Sequence, residues 1–420
     1  MRILFLNDLE DERIGSSVRL VHQLAAHYRR QGHETALATA VQEPGQAGQA
    51  DVHGLKVYRL YSDYNPRWRS WVSLDNPRVR APFQAVLRDF KPDVVHSHLV
   101  HAHLSYASLT ASRAAGAGVV FTAHDVMSFC HQKLTCFHGG EAAGGVLRDY
   151  EARPFKCFPC QRLRWNPFRN RAIRRVLERD VQRLTVVSDE LGKALRANQL
   201  RVDRTVHNAL EPRTQLPSAE EVQRFKAARG LDRCRLIAIG GRLHEQKGVL
   251  QLLRMLRLLA PRFPMLRLLV MGKREVYDRE FAQQAQELGV AQLVVPTGWL
   301  EGPELQQALA AVDVFVTPSI CFDTFGMVNL EAMEHAKPVV ATVYGGSPEV
   351  VLEGVTGFVR NPFQIESFAE AVARLLEDPA LAHAMGLAGR TRLVEHFLLP
   401  RMAAEYAEEY AAACTAQAAL

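Results

Sequence analysis

Nowhere does the 420-residue chain hold anything close to the roughly eighteen consecutive apolar residues that a membrane-crossing helix requires, so a membrane-spanning protein is not expected. The opening MRILFLNDLEDER has a short apolar run and then four acids, without the longer apolar stretch and small-residue cleavage site of an export signal. A cytoplasmic protein is the expectation. Seven cysteines in that setting argue against a disulfide framework. No GxGxxG follows the first apolar run, which leaves dinucleotide redox chemistry without its motif. No repeat of about twenty to fifty residues points to a solenoid. No nucleic-acid-binding motif accompanies the basic residues, so specific nucleic-acid recognition is not expected either.

What the sequence does hold is globular composition, 48% hydrophobic and 23% charged, in a chain longer than one core usually supports; two domains are expected. Short β-branched runs alternate with helical periodicity, which predicts an α/β fold of parallel sheets wrapped by helices. Strands are predicted at 2–6, 34–39, 55–60, 93–98, 119–124 and 184–188. A second series follows at 236–240, 266–271, 293–297, 314–317, 338–342 and 357–359, with 203–235 reading as the link. An insert at 128–167, rich in Cys, Gly and aromatics, interrupts the first series. The domains are drawn at 1–205, including that insert, and 206–385. The helices of 386–420 have no sheet of their own to cover and are expected to pack back across the boundary.

The clearest chemistry lies in PSICFDTFGMVNLE, residues 318–331, where a loop ends at Gly326 and an apolar helix runs toward Pro338. Amides of Gly326, Met327 and Val328 at such a helix start favour a pyrophosphate, being unpaired within the helix and at the positive end of its dipole. Glu331, about a turn further in, suits a pair of ribose hydroxyls, and Asp323 in the loop suits a sugar. About eighty residues upstream, AIGGRLHEQKGV sets Arg242 and Lys247 between a strand and a helix. Two cations there neutralise a diphosphate leaving group without a metal. Alone, that loop reads as readily as turn chemistry with a solvated charge. Two such loops at strand carboxyl ends are where open α/β sheets bind ligands.

These motifs resemble those of the retaining GT-B glycosyltransferases of family 4, over essentially the whole chain. The family's donor signature, two glutamates with seven residues between them around an FG dipeptide, is met by Asp323, Phe325, Gly326 and Glu331. Gly345, Gly346 and Glu349 match a further family segment. Asp323 is one methylene shorter than the family's glutamate, so the hydroxyls it reaches are not carried over. The resemblance implies two Rossmann-like domains facing a central cleft. It puts Glu331 on the nucleotide ribose, Arg242 and Lys247 on the diphosphate, and Gly298, Trp299 and Leu300 beside the base. Gly15 and Ser16 are similar to the family's loop that passes close to ligand. His124, in VVFTAHD, is implied to face the transferred sugar near its anomeric carbon, with Asp125 setting its tautomer. The implied reaction moves a sugar from a nucleoside-diphosphate donor, by family frequency a UDP-sugar, with retention and without a catalytic metal. The implied acceptor is a glycan, a lipid-linked glycan or a small molecule, with cell-envelope polysaccharide assembly one setting. A nucleotide-sugar-binding protein that has lost turnover is the alternative.

The histidines at 96, 98, 101 and 103 are read as hydrogen-bonded packing groups, since no acid or thiol is placed beside them in the sequence. In the insert, Cys130, Cys136, Cys157 and Cys160 fall within thirty-one residues, the last two as CxxC. A structural zinc site is weighed there against buried thiols. From Arg153 to Arg183 ten basic residues meet only two acids, with Trp68, Trp71, Phe155, Trp165 and Phe168 among or near arginines. That combination suits a solvated helix face or peripheral contact with an anionic membrane at its inner face.

Overall fold

The computed structural model describes residues 1–11 and 15–418, apart from the side chains of Ser16 and Leu163. The chain forms two compact units, each built on one sheet. The first comprises Met1–Leu134, Tyr150–Glu211 and Leu399–Leu420; the second comprises Thr135–Asp149 and Pro212–Leu398.

The strands of the first unit are β1 (Arg2–Asn7), β2 (Glu34–Val41), β3 (Gly48–Val52), β4 (Leu55–Tyr61), β5 (Val94–Leu99), β6 (Gly118–Ala123), β7 (Arg183–Val186) and β8 (Arg204–Thr205). Their order is β3-β4-β2-β1-β5-β6-β7-β8, parallel except for the β3–β4 edge pair. Central β1 is buried from Ile3 onward, as the apolar run of a strand covered on both faces must be. The helix Leu399–Ala418 packs on β6, where Gly118 leaves room: a Cβ there would lie 3.0 Å from the Ala413 backbone. Leu399 and Met402 are fully buried in this contact, each stabilising it by roughly 1.5–3 kcal/mol. Tyr28 Oη donates to the Ala403 carbonyl at 2.6 Å, and the Leu399 amide to the Leu210 carbonyl at 2.8 Å.

The second unit contains β9 (Arg235–Gly240), β10 (Leu266–Met271), β11 (Val294–Pro296), β12 (Val314–Thr317), β13 (Val339–Thr342) and β14 (Gly357–Arg360), all parallel. The order β11-β10-β9-β12-β13-β14 reverses direction between β9 and β12. The first sheet reverses in the same way between β1 and β5. Ligands of open α/β sheets bind outside the strand carboxyl ends at such reversals.

The structure departs from the drawn domains in three places. Residues 135–149 of the insert belong to the second unit, not the first. The link between units falls after Glu211, and the helix Pro379–His396 stays with the second unit, so only the last helix returns. Among the described residues no helix is long and apolar enough to cross a membrane.

Candidate functional site

In the second unit the loops after β9 and β12 are tied together at the sheet's reversal point. The amides of Ile320 and Cys321 both donate to the Gln246 carbonyl, at 2.9 and 3.2 Å. Gly248 permits the approach: its φ is +75°, and a Cβ there would fall 1.8 Å from the Pro318 carbonyl oxygen. Lys247 then reaches the second loop, its Nζ donating to Asp323 Oδ2 at 2.8 Å. Ser319 Oγ donates to the same oxygen at 3.3 Å, and the Gly326 amide also donates to this carboxylate. From below, the Gly346 amide donates to the Asp323 carbonyl at 2.8 Å. Gly345, at φ +63°, lies so close that a Cβ would sit 1.9 Å from that carbonyl oxygen.

Burial alone pushes the Asp323 carboxyl up, but the Lys247 ammonium, with the hydrogen bonds from Lys247, Ser319 and Gly326, holds it below its usual value. Burial likewise disfavours the Lys247 ammonium, and the Asp323 charge beside it more than compensates, raising its pKa. Both groups are therefore charged at neutral pH. Arg242, exposed on the same loop as Lys247, is near enough to act on that ammonium electrostatically.

Gly326, at φ +80°, starts the helix Met327–Glu334. Buried Asn329 braces it, accepting from Thr317 Oγ1 at 2.9 Å. Amides in this first turn, those of Met327 and Val328 among them, have no intrahelical acceptor. Glu331 is half-buried further along the helix. Phe325 is buried against the Phe397 ring, centroids 5.8 Å apart, and supports the loop from the core side. Gly298, Trp299 and Leu300 follow edge strand β11; Trp299 Nε1 donates to Glu301 Oε1 at 2.8 Å and Leu300 is buried.

The first unit assembles a second polar cluster at its own sheet's reversal. Asp8, directly after β1, is buried and accepts the amides of Ala102, His103 and Leu104 at 2.7, 2.8 and 2.7 Å. Sequence reasoning passed over Asp8; an acid directly behind the central strand was the available signal. His124, just past β6, pairs with His98, Nε2 to Nδ1 at 2.7 Å. Burial lowers its pKa to about 4, the Asp125 charge offsetting only part of that, so the ring is neutral at pH 7. Asp125 lies beside His101, 3.3 Å from its Nε2, so the acid expected to orient His124 faces a different imidazole. His101 thus does have a carboxylate neighbour. His96 is fully buried between Tyr410 Oη and Thr122 Oγ1, each 2.8 Å away. Gly15 precedes the helix Ser16–Arg30 in extended backbone, φ −171°, which any residue adopts. The Ser16 side chain lies outside the described residues.

A zinc site at the four clustered cysteines, weighed above against buried thiols, is not evidenced. Among the described residues no three of His, Cys, Asp or Glu form a metal-holding group. Cys130 is buried with its Sγ accepting the Leu134 amide at 3.1 Å; Cys157 and Cys160 lie on the helix Pro154–Gln161, and Cys136 belongs to the other unit. The basic block is also divided. Arg169 is buried and donates to the Met127 carbonyl at 2.6 Å, while Arg183 pairs with Glu409 at 2.6 Å.

The family model for Glycosyltransferase Family 4 matches residues 17–213, and that for Glycosyl transferases group 1 matches residues 221–392. This chain belongs to the family 4 GT-B glycosyltransferases. The family member is 36% identical over 180 residues to a GDP-mannose-dependent alpha-(1-6)-phosphatidylinositol monomannoside mannosyltransferase of Mycolicibacterium smegmatis, covering 41% of this chain and 47% of that one. It is 34% identical over 183 residues to an alpha-maltose-1-phosphate synthase of the same organism, covering 42% and 47%. The chain thus spans about half the length of the curated relatives it matches. Among solved structures, Anabaena HepE in complex with UDP superposes with TM-score 0.73 at 19% identity, covering 98% of this chain and 100% of that one. A sucrose-phosphate synthase from Thermosynechococcus elongatus gives 0.75 at 20%, covering 97% and 98%. These likenesses establish the GT-B fold.

Proposed function

We propose that the protein is a glycosyltransferase that moves a sugar from a nucleoside-diphosphate donor to an acceptor hydroxyl with retention at the anomeric carbon. The observation that carries this reading is the charged Lys247–Asp323 pair, 2.8 Å apart at the β9/β12 reversal, beside the amides that begin the helix Met327–Glu334. In this reading Lys247 and Arg242, with the amides of Met327 and Val328, take the diphosphate, and Glu331 takes the ribose. Asp323 takes a sugar hydroxyl, and Gly298, Trp299 and Leu300 border the base. As the anomeric C–O bond to phosphate breaks, the two cations stabilise the charge on the leaving oxygen. The acceptor oxygen bonds to the anomeric carbon from the same face, and its proton passes to the departing phosphate. Neutral His124 hydrogen-bonds the transferred sugar. A metal has no part in this scheme, because the cations are supplied by side chains.

A UDP-sugar is the first donor to test, followed by GDP- and ADP-sugars. The acceptor is a glycan, a lipid-linked glycan or a small polyol, and the cytoplasmic face of a membrane is the proposed place of work. In support of membrane contact, Ser70 Oγ donates to the Arg164 carbonyl at 2.9 Å and Asn166 Nδ2 to the Ser70 carbonyl at 3.2 Å. These bonds join the segment carrying exposed Trp68 and Trp71 to the segment carrying exposed Phe168. Flotation with anionic liposomes, lost in a Trp68→Ser, Trp71→Ser variant, tests that part. The function itself is tested by incubating the purified protein with each nucleotide sugar and an acceptor mixture. Release of nucleoside diphosphate with a product of retained anomeric configuration supports it; binding without turnover under every condition indicates the inactive sugar-nucleotide binder instead.

A further inference from the structure

We infer that Thr135–Asp149 is a positioning strap for the acidic loop, and that His138 and Phe137 hold Asp323 in the geometry that grips the donor sugar. The inference rests on the donor-site reading above and adds residues that the family motif does not include.

The segment belongs to the second unit although the chain on both sides of it belongs to the first. His138 fastens one end. The Gly140 amide donates to His138 Nδ1 at 2.8 Å, so that nitrogen carries a lone pair and the neutral ring holds its proton on Nε2. The ring's other polar neighbour is the Ile320 backbone, which favours a proton on the imidazole as a carbonyl does. The Ile320 amide is already given to Gln246, next to Lys247. Ile320 is therefore engaged on two sides, its amide bonded to the Lys247 turn and its carbonyl facing the strap. Phe137, fully buried, sets its ring edge-on to Phe322, centroids 5.5 Å apart at 85°. Phe322 immediately precedes Asp323.

The other end is fastened beside Gly345. Tyr344 Oη donates to the Gly145 carbonyl at 2.8 Å, and Asn361 Nδ2 donates to the Gly144 carbonyl at 2.7 Å. Gly145, at φ +67°, fits so closely that a Cβ would lie 2.1 Å from Tyr344 Oη. The His138 and Tyr344 rings stack at 5.4 Å, and the Arg148 guanidinium covers Tyr344 at 4.9 Å. Asp323 is thus held by Lys247 at its carboxylate, by Gly346 at its carbonyl, and through Phe322 by the strap.

The test compares wild type with His138→Ala, His138→Gln and Phe137→Leu in the full chain. Gln keeps a donor for the Ile320 carbonyl, and Leu keeps an apolar side chain where alanine risks unfolding. The first readout needs no ligand: the rate at which iodoacetamide alkylates Cys321, in the strapped loop, followed by peptide mass spectrometry. The second is the affinity for UDP-glucose and GDP-mannose relative to UDP and GDP alone. His138→Ala is expected to speed Cys321 alkylation and to weaken the sugar nucleotides by about tenfold, the scale of one lost hydrogen bond, and Phe137→Leu to move both in the same direction, with the plain nucleotides unchanged. His138→Gln is expected to restore most of both. Unchanged alkylation overturns the strap; faster alkylation with sugar-nucleotide affinity intact overturns its positioning role. Should wild type bind no nucleotide at all, the donor-site reading fails and the positioning role fails with it.

Discussion

At the scale of single residues, the Lys247–Asp323 pair and His124, to which the proposal gives the chemistry, respond to pH in different ways. Lys247 and Asp323 stabilise each other's charged forms, so neither changes state between pH 5 and 9. The contribution of Asp323 to stability is present above the ordinary carboxylate range and is lost only as pH falls through its depressed value. His124 differs, because burial holds it neutral down to about pH 4. A pH–rate profile is therefore expected to lack a His124 inflection near pH 6.5 and to fall as pH approaches about 4. An acid limb near 6.5 that vanishes in His124→Ala contradicts this assignment.

At the scale of elements, the loops are shaped by what glycine allows and the last helix by what tyrosine anchors. Gly345→Ala places a methyl against the Asp323 carbonyl at a left-handed position; a loss of at least ~1–3 kcal/mol in urea unfolding is expected, with donor binding lost alongside. Tyr410→Phe removes the hydroxyl that meets His96 at 2.8 Å and is expected to cost ~1 kcal/mol, with faster amide exchange across Leu399–Ala418 as its local signature. Elements were the most legible part of the sequence. All twelve strands expected from β-branched runs are present, because strands buried on both faces must be nearly continuous in apolar residues. β3 and β8 were missed for the converse reason: Gly48–Val52 is a polar antiparallel edge and Arg204–Thr205 is two residues long. The Lys247 and Asp323 loops were singled out because Gly, Lys and Asp at strand ends carry chemical meaning even without contacts, and the structure joins the two through the Lys247–Asp323 pair.

At the scale of the whole molecule, long-range placement was the part that local pattern could not supply. Nothing in CFHGGEAAGG announces that it docks on Phe322 and Tyr344, since the decisive partners lie about two hundred residues away. Four clustered cysteines suggested zinc by spacing alone, and among the described residues no three metal-ligating side chains gather. The same global burial sets acid stability. His96 and His98 are held well below their usual pKa by burial, while His124 and His335 fall to about 4 and His131 to about 3. Unfolded histidines take up protons near pH 6.5 and the folded ones do not. Stability is therefore complete above that pH and declines toward pH 4, by up to ~1.4 kcal/mol per pH unit for each histidine. Urea midpoints measured from pH 7.5 to 4.5 check the slope. Whether Lys247 grips the donor's diphosphate is read by titration calorimetry with UDP-glucose, GDP-mannose and ADP-glucose on wild type and Lys247→Ala. The expected result is binding of at least one donor by wild type and binding weakened by about 10- to 100-fold in a folded Lys247→Ala, the scale of one lost charge-assisted hydrogen bond. Undiminished donor binding in a folded Lys247→Ala contradicts a diphosphate site at Lys247.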